Sequence, residues 1–262
     1  MLHEYGKINW DILWEKLEQE GNVGLDYVIN PSLYPEIIRV LADKSQSIVV
    51  DFGCGTNLMG IQILYGYAQS IPALRNIINL DQARFNTKLY LGLEGQLELV
   101  NRSESYLEDI GNPVNIATIQ THIGDENKNL FDVESVDLCL SRNFLMHLSV
   151  DEYKGHIEHV KSILKKNGYY IFATLNPDYE YLKVGRKLEN GEKYDFIHGK
   201  NGEYGIFYHY HKTKEQYESL LQGLAIEKKI SCIPITDVFS STHERYYNSD
   251  VPMAFVYVLK KK

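Results

Sequence analysis

A single carboxylate stands just before a glycine-rich turn in the stretch VVDFGCGTN, residues 49–57. Gly53 and Gly55 let the backbone approach a ligand closely, at the end of a strand, where open α/β sheets bind ligands. Asp51 would repel a pyrophosphate held by the amide groups of this turn, but it would attract an ammonium. A dinucleotide-binding GxGxxG turn needs a third glycine, and Leu58 occupies that position. The turn therefore predicts a site for a small molecule that presents an ammonium.

Other polar residues capable of chemistry follow later apolar runs. Asp81 ends NIINLD, Asp125 lies in GDENKN, and the segment SRNFLMH, which follows VDLCLS, contains Arg142 and His147. His147 could be a general base, because histidine titrates near neutral pH, or a structural histidine in a helical turn. Arg142 could bind a carboxylate bidentately or pair with a surface acid. The acidic residues could also be ordinary helix caps or solvated surface groups.

Aromatic residues are frequent in a later segment that has no clear periodicity, residues 176–206, and in the short run that follows it. If residues 206–211 are extended, Tyr208 and Tyr210 share one face, and His209 and His211 share the other. The tyrosines could close over an organic substrate and exclude water, or could simply pack one face of an amphipathic strand. The two histidines have no carboxylate partner at a suitable spacing, so no metal site is predicted.

These candidate residues must be positioned by an alternation of strands and helices. Strands are predicted at residues 47–51, 76–81, 114–121, 136–141 and 168–175, with helices from the glycine turn to about 70, at 83–100 and at 151–166. The alternation predicts an α/β, doubly wound, seven-stranded mostly parallel sheet. A helix at 214–223 and strands at 225–235 and 251–261 predict a closing antiparallel pair. We expect one domain over residues 1–262, with a helical N-terminal cap at 1–45 and a lid insertion at 176–212.

The N-terminal cap is predicted from two helical patterns. Trp10, Leu13, Trp14 and Leu17 recur at helical spacing up to Gly21, and a second helix is predicted from Pro35 to Leu41 with proline in its first turn.

Composition narrows the class of partners. The chain has 262 residues and a formal net charge of -8, which argues against a broad phosphate-neutralising surface and makes nucleic acid an unlikely partner. Its three cysteines form no CxxC pair, which is typical of a reducing compartment. No run approaches the roughly 18 apolar residues of a membrane span, and the polar start MLHEYGKINW does not resemble a signal peptide. A cytoplasmic protein with no membrane partner is expected, and its oligomeric state is left open.

Residues 49–57 resemble the first motif of class I S-adenosylmethionine (SAM)-dependent methyltransferases, apolar-apolar-D/E-x-G-x-G-x-G, with Asn57 in place of the third glycine. Four later segments are similar to further motifs of the family in the same order: the strand end at Asp81, HIGD at 122–125, VDLCLS at 136–141 and LKKNGY at 164–169. Together they cover residues 45–175. SAM carries an ammonium and no phosphate, which agrees with the acid at the opening turn.

The resemblance implies SAM as the cofactor, with Asp51 at its amino-acid end, Asp81 at its ribose hydroxyls and Asp125 at its adenine amino group. The other cofactor-binding residues that it implies are Gly53, Cys54, Gly55, Gln82, Gly124, Glu126, Ser141 and Arg142. Cys54 is expected to fill the small position of the turn. His147 is the candidate catalytic base, and the implied substrate-binding residues are Arg142, His147, Tyr208 and Tyr210.

The expected activity is methyl transfer from SAM to an oxygen or nitrogen of a small organic molecule. A nucleic-acid or protein methyltransferase is the first alternative. The segment NPDY at 176–179 is similar to a motif of DNA amino-methylating enzymes, but it follows the fifth strand rather than the fourth. A nicotinamide-dependent oxidoreductase and a non-catalytic SAM-binding protein are the remaining alternatives.

Overall fold

A mixed β-sheet forms the centre of the fold, and helices pack on both of its faces. The structure, a computed structural model, describes residues 24–42, 44–65, 87–122, 130–176, 178, 186–187, 193–197, 206–210, 212–233 and 251–262. Its helices are α1 (Gly24–Ala42), α2 (Leu58–Tyr65), α3 (Leu97–Asp109), a 3₁₀ helix (Leu145–His147), α4 (Val150–Ile163) and α5 (Lys214–Ser219). No helix within these ranges is long and apolar enough to cross a membrane.

Ten strands occur in the described ranges, and seven of them make up the central sheet. They are β1 (Ser47–Phe52), β2 (Thr87–Glu94), β3 (Ile116–Gln120), β4 (Val136–Arg142), β5 (Leu164–Leu175), β6 (Arg186–Lys187), β7 (Lys193–Ile197), β8 (Ile206–Tyr210), β9 (Leu224–Cys232) and β10 (Ala254–Lys261). The order across the central sheet is β3-β2-β1-β4-β5-β10-β9.

The direction of the strands confirms the predicted fold class. Strands β3, β2, β1, β4 and β5 are parallel, whereas β10 runs antiparallel to both β5 and β9. The chain moves outward from β1 to β3 and then returns to place β4 on the other side of β1. This reversal creates a crevice at the carboxyl ends of β1 and β4, where open α/β sheets bind ligands.

Strand β2 corrects one prediction. The helix predicted at 83–100 is wrong, because Thr87–Glu94 is a strand that pairs with β1 and β3, and α3 begins only at Leu97. Leucines at 89, 93 and 97 have helical spacing, but those at 89, 91 and 93 also alternate as in a strand. Burial between two neighbouring strands decides in favour of the strand. The strand predicted at 76–81 lies outside the described residues.

Two predicted helix boundaries are also wrong. Helix α1 is far longer than the predicted segment at 35–41, and it contains both Pro31 and Pro35 within its length. Helix α4 ends at Ile163 rather than near 166, because β5 begins at Leu164. Asn167 therefore does not end a helix: it has a φ of 64° where the pairing of β5 with β4 shifts register. The N-terminal helix predicted around Trp10 lies outside the described residues.

The two faces of the sheet carry separate apolar clusters. Val49 and Tyr90 pack with α1 and α2 on one face, and Val50 and Phe52 pack with α4 on the other. Since successive strand residues point to opposite faces, Asp51 shares the face of Val49. The acidic side chain of β1 therefore lies on the face of the sheet that carries α1 and α2.

Three short strands within the segment predicted to be an insertion form a small antiparallel sheet. Strands β6, β7 and β8 pair in that order, so residues 206–210 are extended. Strand β8 packs against the 3₁₀ helix at Leu145–His147, which directly follows β4. Strand β8 is thereby placed beside the carboxyl end of β4.

Candidate functional site

The turn between β1 and α2 has a left-handed backbone at three positions. Gly53, Gly55 and Asn57 have φ values of 66°, 59° and 56°. A Cβ added at Gly53 would lie 2.5 Å from the ring of Phe144, whereas one added at Gly55 would meet no atom of the described residues within 4 Å. Gly53 is therefore required by packing within the protein. Gly55 faces open space, which makes it the glycine at which a ligand can approach the backbone.

The carboxyl end of β2 fixes this turn. The backbone N–H groups of Gly53 and Cys54 donate to the carbonyl of Leu93 at 2.8 and 3.2 Å. The N–H of Gly55 donates to Oε2 of Glu94 at 2.9 Å. Asn57 extends the anchoring to β3, since its Nδ2 donates to Oγ1 of Thr118 at 3.0 Å. Hydrogen bonds to β2 and β3 thus hold the turn that follows β1 in one shape, which preorganises it for a ligand.

Asp51 is a buried acid with one unused oxygen. Its Oδ2 accepts a hydrogen bond from the hydroxyl of Tyr90 at 2.9 Å, and its Oδ1 has no hydrogen-bond partner among the described residues. Burial raises the pKa of Asp51 to about 6, and this is only partly offset by the Tyr90 hydrogen bond and by the positive charge of Arg142. A cation placed at Oδ1 would satisfy the oxygen and stabilise the ionised carboxylate.

Glu94 is a candidate site residue that the sequence prediction missed. It ends β2 beside the turn, with Oε2 on the N–H of Gly55 and Oε1 on the N–H of Gln96 at 3.0 Å. Burial raises the pKa of Glu94, while hydrogen bonds from backbone N–H groups and the nearby His122 oppose that rise. The alternating leucines of TKLYLGLE were the signal that could have revealed a strand ending in an acid.

Arg142 lies at the end of β4, and a helix residue holds it. Its Nη1 donates to Oδ1 of Asn30 at 3.3 Å, across 112 positions of sequence. Asn30 belongs to α1 and is fully buried, yet its Nδ2 has no hydrogen-bond partner among the described residues. Asn30 is therefore a second residue that the sequence prediction missed, and no local motif marks it.

Unsatisfied buried polar atoms concentrate at this end of the sheet. Within the part of the chain that the structure describes, they include Asp51 Oδ1, Asn57 Oδ1, Asn143 Oδ1 and Asn30 Nδ2. Buried polar groups without partners are rare in folded proteins. Asn143 also has a φ of 55°, an uncommon conformation for a residue other than glycine. The cluster indicates a place where a polar ligand completes the hydrogen bonding.

Ser141 and Cys54 lie outside this cluster of unsatisfied polar atoms. The Ser141 Oγ accepts from the hydroxyl of Tyr170 at 3.1 Å and lies 3.5 Å from His156 Nε2, inside the cluster on the α4 face. Burial lowers the pKa of His156 to about 3, so this histidine is neutral at physiological pH. Burial likewise raises the pKa of the Cys54 thiol well above its usual range. The imidazole of His156 and the thiol of Cys54 are therefore both uncharged at neutral pH.

His147 ends the 3₁₀ helix that follows β4, and a buried lysine anchors this helix. The ammonium of Lys212 donates to the carbonyls of Leu145, at 2.9 Å, and of Leu148. It also lies 5.4 Å and 5.5 Å from the ring centres of Tyr153 and Tyr217. A cation at the carbonyl end of a helix is electrostatically favourable. Lys212 follows β8 closely and so fixes the segment with His147 to the insertion.

Several predicted site residues cannot be placed. Outside the described residues lie Asp81, Gln82, Gly124, Asp125 and Glu126. Tyr208 belongs to β8, of which only the backbone is described at that position, and Tyr210 is half-buried at the end of the same strand. Among the described side chains, no group of three or more His, Cys, Asp or Glu could hold a metal ion.

Comparison with known proteins identifies the fold. No protein-family model matches the sequence, and no curated protein matches it. A SAM-dependent methyltransferase structure from Clostridium acetobutylicum matches with a TM-score of 0.61 at 13% identity, over 96% of this chain and 98% of that chain. A SAM-dependent methyltransferase from Methanosarcina mazei matches with a TM-score of 0.61 at 16% identity, over 87% and 98%.

A third similar structure contains bound ligands. It is the geranyl diphosphate C-methyltransferase of Streptomyces coelicolor, in complex with Mg²⁺, geranyl-S-thiolodiphosphate and S-adenosylhomocysteine. It matches with a TM-score of 0.55 at 12% identity, over 87% of this chain and 76% of that chain. The chain therefore has the class I SAM-dependent methyltransferase fold, as its motifs predicted.

Proposed function

We propose that this protein is a SAM-dependent methyltransferase that transfers a methyl group to an oxygen or nitrogen of a small organic molecule. One observation carries the proposal. In a methyltransferase fold, the unsatisfied buried oxygen of Asp51 lies on the strand that leads to Gly55, where the backbone faces open space. Both lie at the crevice where such sheets bind ligands.

The residues at this crevice fit the cofactor in charge and hydrogen bonding. Asp51 would accept from the ammonium, and the backbone at Gly55 would lie against the ligand where no side chain intervenes. Glu94 would accept from the ribose hydroxyls, since an acid at the end of the second strand performs this role in the family that the motifs resemble. Asp81 was predicted for the ribose, and it remains a further candidate, as does Asp125 for the adenine.

The protein's part in the reaction would be binding and orientation. When bound, SAM supplies a methyl group that its sulfonium makes electrophilic, so the chain has to hold a nucleophile in line with it. His147 would take a proton from an oxygen or nitrogen of the acceptor, because histidine exchanges protons near neutral pH. Strand β8 and Tyr210 lie beside the 3₁₀ helix and would help to exclude water.

A small acceptor is favoured over a macromolecule. The net charge of -8 supports this choice, because phosphate backbones bind basic surfaces. The similar geranyl diphosphate methyltransferase acts on a small molecule, while the acceptor of this protein and the atom methylated are to be found by experiment. A nucleic-acid or protein methyltransferase is the alternative that acceptor screening would reveal. The cytoplasmic location stays a prediction.

Ligand binding and product formation test the proposal in two steps. Thermal unfolding with SAM, S-adenosylhomocysteine and NAD should show stabilisation by the first two only. Stabilisation by NAD alone would support the oxidoreductase instead. Incubation with a metabolite panel and methyl-labelled SAM, followed by mass spectrometry, should then reveal a methylated product. Tight SAM binding with no S-adenosylhomocysteine released from any acceptor class would favour the non-catalytic alternative.

Replacement of Glu94 tests its role at the ribose. Glu94→Gln keeps one acceptor oxygen but places an amide N–H₂ among N–H donors. We therefore expect the affinity for S-adenosylhomocysteine to fall about 10- to 100-fold, because a hydrogen bond to a charged group contributes about 1.5–3 kcal/mol. Calorimetric titration measures the change. Glu104→Gln, an exposed change on α3 with the same loss of charge, is the control and should bind normally. Equal affinities for both variants would remove Glu94 from the site.

Replacement of His147 tests general-base catalysis. His147→Ala should lower turnover with the identified acceptor about 100-fold, because a positioned base typically contributes 10²–10⁴-fold. The affinity for S-adenosylhomocysteine should stay within about threefold of the wild type, since His147 lies beyond the glycine turn. Single-turnover rates and calorimetry measure the two quantities. Unchanged turnover would show that the acceptor needs no base from this residue.

A further inference from the structure

We propose that His156 of α4 is a positioning residue for the candidate cofactor site, because it holds the ring of Phe144 against Gly53 in the turn after β1. This inference rests on the proposed function, since that turn is the one expected to bind SAM. It deepens that function by adding a support for the turn from the α4 face of the sheet, opposite to the face of Asp51.

The first support is the close packing of Phe144 on the glycine turn. A Cβ added at Gly53 would lie 2.5 Å, 2.7 Å and 2.9 Å from the Cδ2, Cγ and Cβ atoms of Phe144. The phenylalanine therefore covers the position that any other side chain at residue 53 would take. Gly53 also has a left-handed backbone, with a φ of 66°. A shift of the Phe144 ring would remove the packing that keeps this part of the turn in place.

The second support is the position of His156 beside two aromatic rings. The centre of its imidazole lies 5.5 Å from that of Phe144, with an angle of 70° between the planes. The distance to Phe52 is 4.7 Å, with an angle of 85°. Edge-to-face pairs at these distances are favourable. His156 thus contacts the residue that directly precedes Gly53 in β1 and also the ring that packs onto Gly53.

The third support is the hydrogen bonding that orients the imidazole. The hydroxyl of Tyr170 on β5 donates to Ser141 Oγ on β4 at 3.1 Å and lies 3.0 Å from His156 Nε2. Because a tyrosine hydroxyl has one proton, Nε2 of His156 carries the hydrogen of this second contact. The Nδ1 atom of His156 is buried and has no hydrogen-bond partner among the described residues. The orientation of the ring therefore depends on the hydroxyl of Tyr170.

The fourth support is the absence of charge on the side chains that orient Phe144. Burial lowers the pKa of His156 to about 3, and the nearby His159 acts in the same direction. Burial raises the pKa of Tyr170 well above its usual range. Both groups are neutral at physiological pH, so they are unsuited to exchanging protons with a substrate. Hydrogen-bonded polar groups in an apolar core instead favour one fixed arrangement of their neighbours.

The test uses two variants and one matched control. His156→Leu removes the imidazole at similar volume, and Tyr170→Phe removes only the hydroxyl that orients it. Tyr170→Phe is the milder change and carries the test if His156→Leu does not fold. The control is Tyr257→Phe, which removes the hydroxyl that donates to Glu218 at 3.4 Å. Tyr257 belongs to the same apolar cluster, but its strand β10 lies three strands from β1.

Amide hydrogen exchange without ligand measures the rigidity of the turn. The amides of Cys54 and Gly55 donate to Leu93 and Glu94, so they exchange only when the turn opens. Both variants should speed their exchange at least about tenfold more than that of the Val256 amide in β10, because local openings need not involve the whole fold. Tyr257→Phe should show no such difference. An equal increase at the turn and at Val256, or none at the turn, would overturn the inference.

Calorimetry with S-adenosylhomocysteine measures the consequence for binding. His156→Leu and Tyr170→Phe should each weaken binding at least about fivefold, and Tyr257→Phe should stay within about twofold of the wild type. Normal affinity in both variants would show that His156 does not serve the site. If the wild type itself binds no S-adenosylhomocysteine, the proposed function fails, and hydrogen exchange alone then decides whether His156 positions the turn.

A double-mutant cycle separates action through Phe144 from general damage. Phe144→Leu should itself weaken binding of S-adenosylhomocysteine at least about fivefold, because it removes the ring that packs on Gly53. In this background, His156→Leu should change the affinity by less than about twofold, since the two residues act through the same contact. Losses that simply multiply would mean that His156 affects binding by another route, which would contradict the assignment.

Discussion

Asp51→Asn should abolish tight SAM binding and at the same time make the ligand-free protein more stable at pH 8. The variant removes the charge that would pair with the ammonium, and losing one partner of a buried charge pair costs about 2–5 kcal/mol. We therefore expect the dissociation constant for SAM to rise at least about 30-fold, since about 1.4 kcal/mol is tenfold. Isothermal calorimetry measures this loss directly.

The gain in stability has a defined sign and pH range. The pKa of Asp51 rises from 3.8 to about 6 on folding, so the folded state binds more protons than the unfolded state between these values. The stability contributed by this carboxyl is complete below pH 3.8 and is lost as the pH rises through 6. About 2 pKa units correspond to roughly 3 kcal/mol. The buried, unpaired amide of the variant has its own cost of about 1–3 kcal/mol, which offsets part of this gain in stability.

The net expectation for Asp51→Asn is a gain of about 1 kcal/mol, or about 2–4 °C in unfolding temperature, at pH 8. The difference from the wild type should shrink steadily towards pH 4. Thermal unfolding of both proteins across this pH range, without ligand, is the measurement. A variant that is destabilised by the same amount at every pH would show that the carboxylate has a structural role, and it would contradict the assignment of Oδ1 to a ligand.

Gly55→Ala should weaken SAM binding about 100-fold, because its methyl group would occupy the open space where the ligand is expected to lie. An extra methyl group in a packed site costs about 1–3 kcal/mol, or about 5- to 150-fold in affinity. In the part of the chain that the structure describes, no atom lies within 4 Å of the added Cβ, so these residues accommodate it sterically. The remaining cost is the left-handed backbone at φ 59°, about 1 kcal/mol for a residue other than glycine.

Gly111→Ala is the matched control for this backbone cost. Gly111 follows α3, has a φ of 86° and also has no atom within 4 Å of an added Cβ. Both variants should lose about 1 kcal/mol of stability. Calorimetric titration should then show a loss of cofactor affinity for Gly55→Ala and normal affinity for Gly111→Ala. Normal binding by both would mean that the ligand does not contact the turn at Gly55.

Much of the sheet could be predicted because its central strands are apolar runs bounded by turn residues. Strands β1, β3, β4 and β5 and the closing pair β9 and β10 are confirmed, with boundaries shifted by a few residues. The glycine turn also has the predicted place after β1, because glycines at two such positions mark a backbone that few other residues adopt. The limits of the domain, its helical cap and its insertion stay predictions.

The parts that could not be predicted depend on contacts distant in sequence. Glu94 could not be predicted as the end of a strand, because leucine favours helices and the leucines before it satisfy both helical and strand spacing. Only the pairing of this segment with β1 and β3 makes it a strand. Asn30 meets Arg142 across 112 positions, and Lys212 meets Leu145 across 67. No local sequence pattern predicts such contacts. They follow from the packing of α1 and of the insertion against strands that are set elsewhere in the chain.

Lys212 has a consequence for how this protein can acquire new acceptors. Its ammonium joins the end of the insertion to the backbone of the segment that carries His147, so the two are one mechanical unit. If the proposed function holds, exchange of residues 176–211 for the corresponding segment of a protein with the same fold is a direct way to test acceptor range. Chimeras that retain Lys212 should keep the 3₁₀ helix in place and change only its surroundings. Chimeras that replace it leave two backbone carbonyls without a donor, and changes of substrate would then be inseparable from damage at His147.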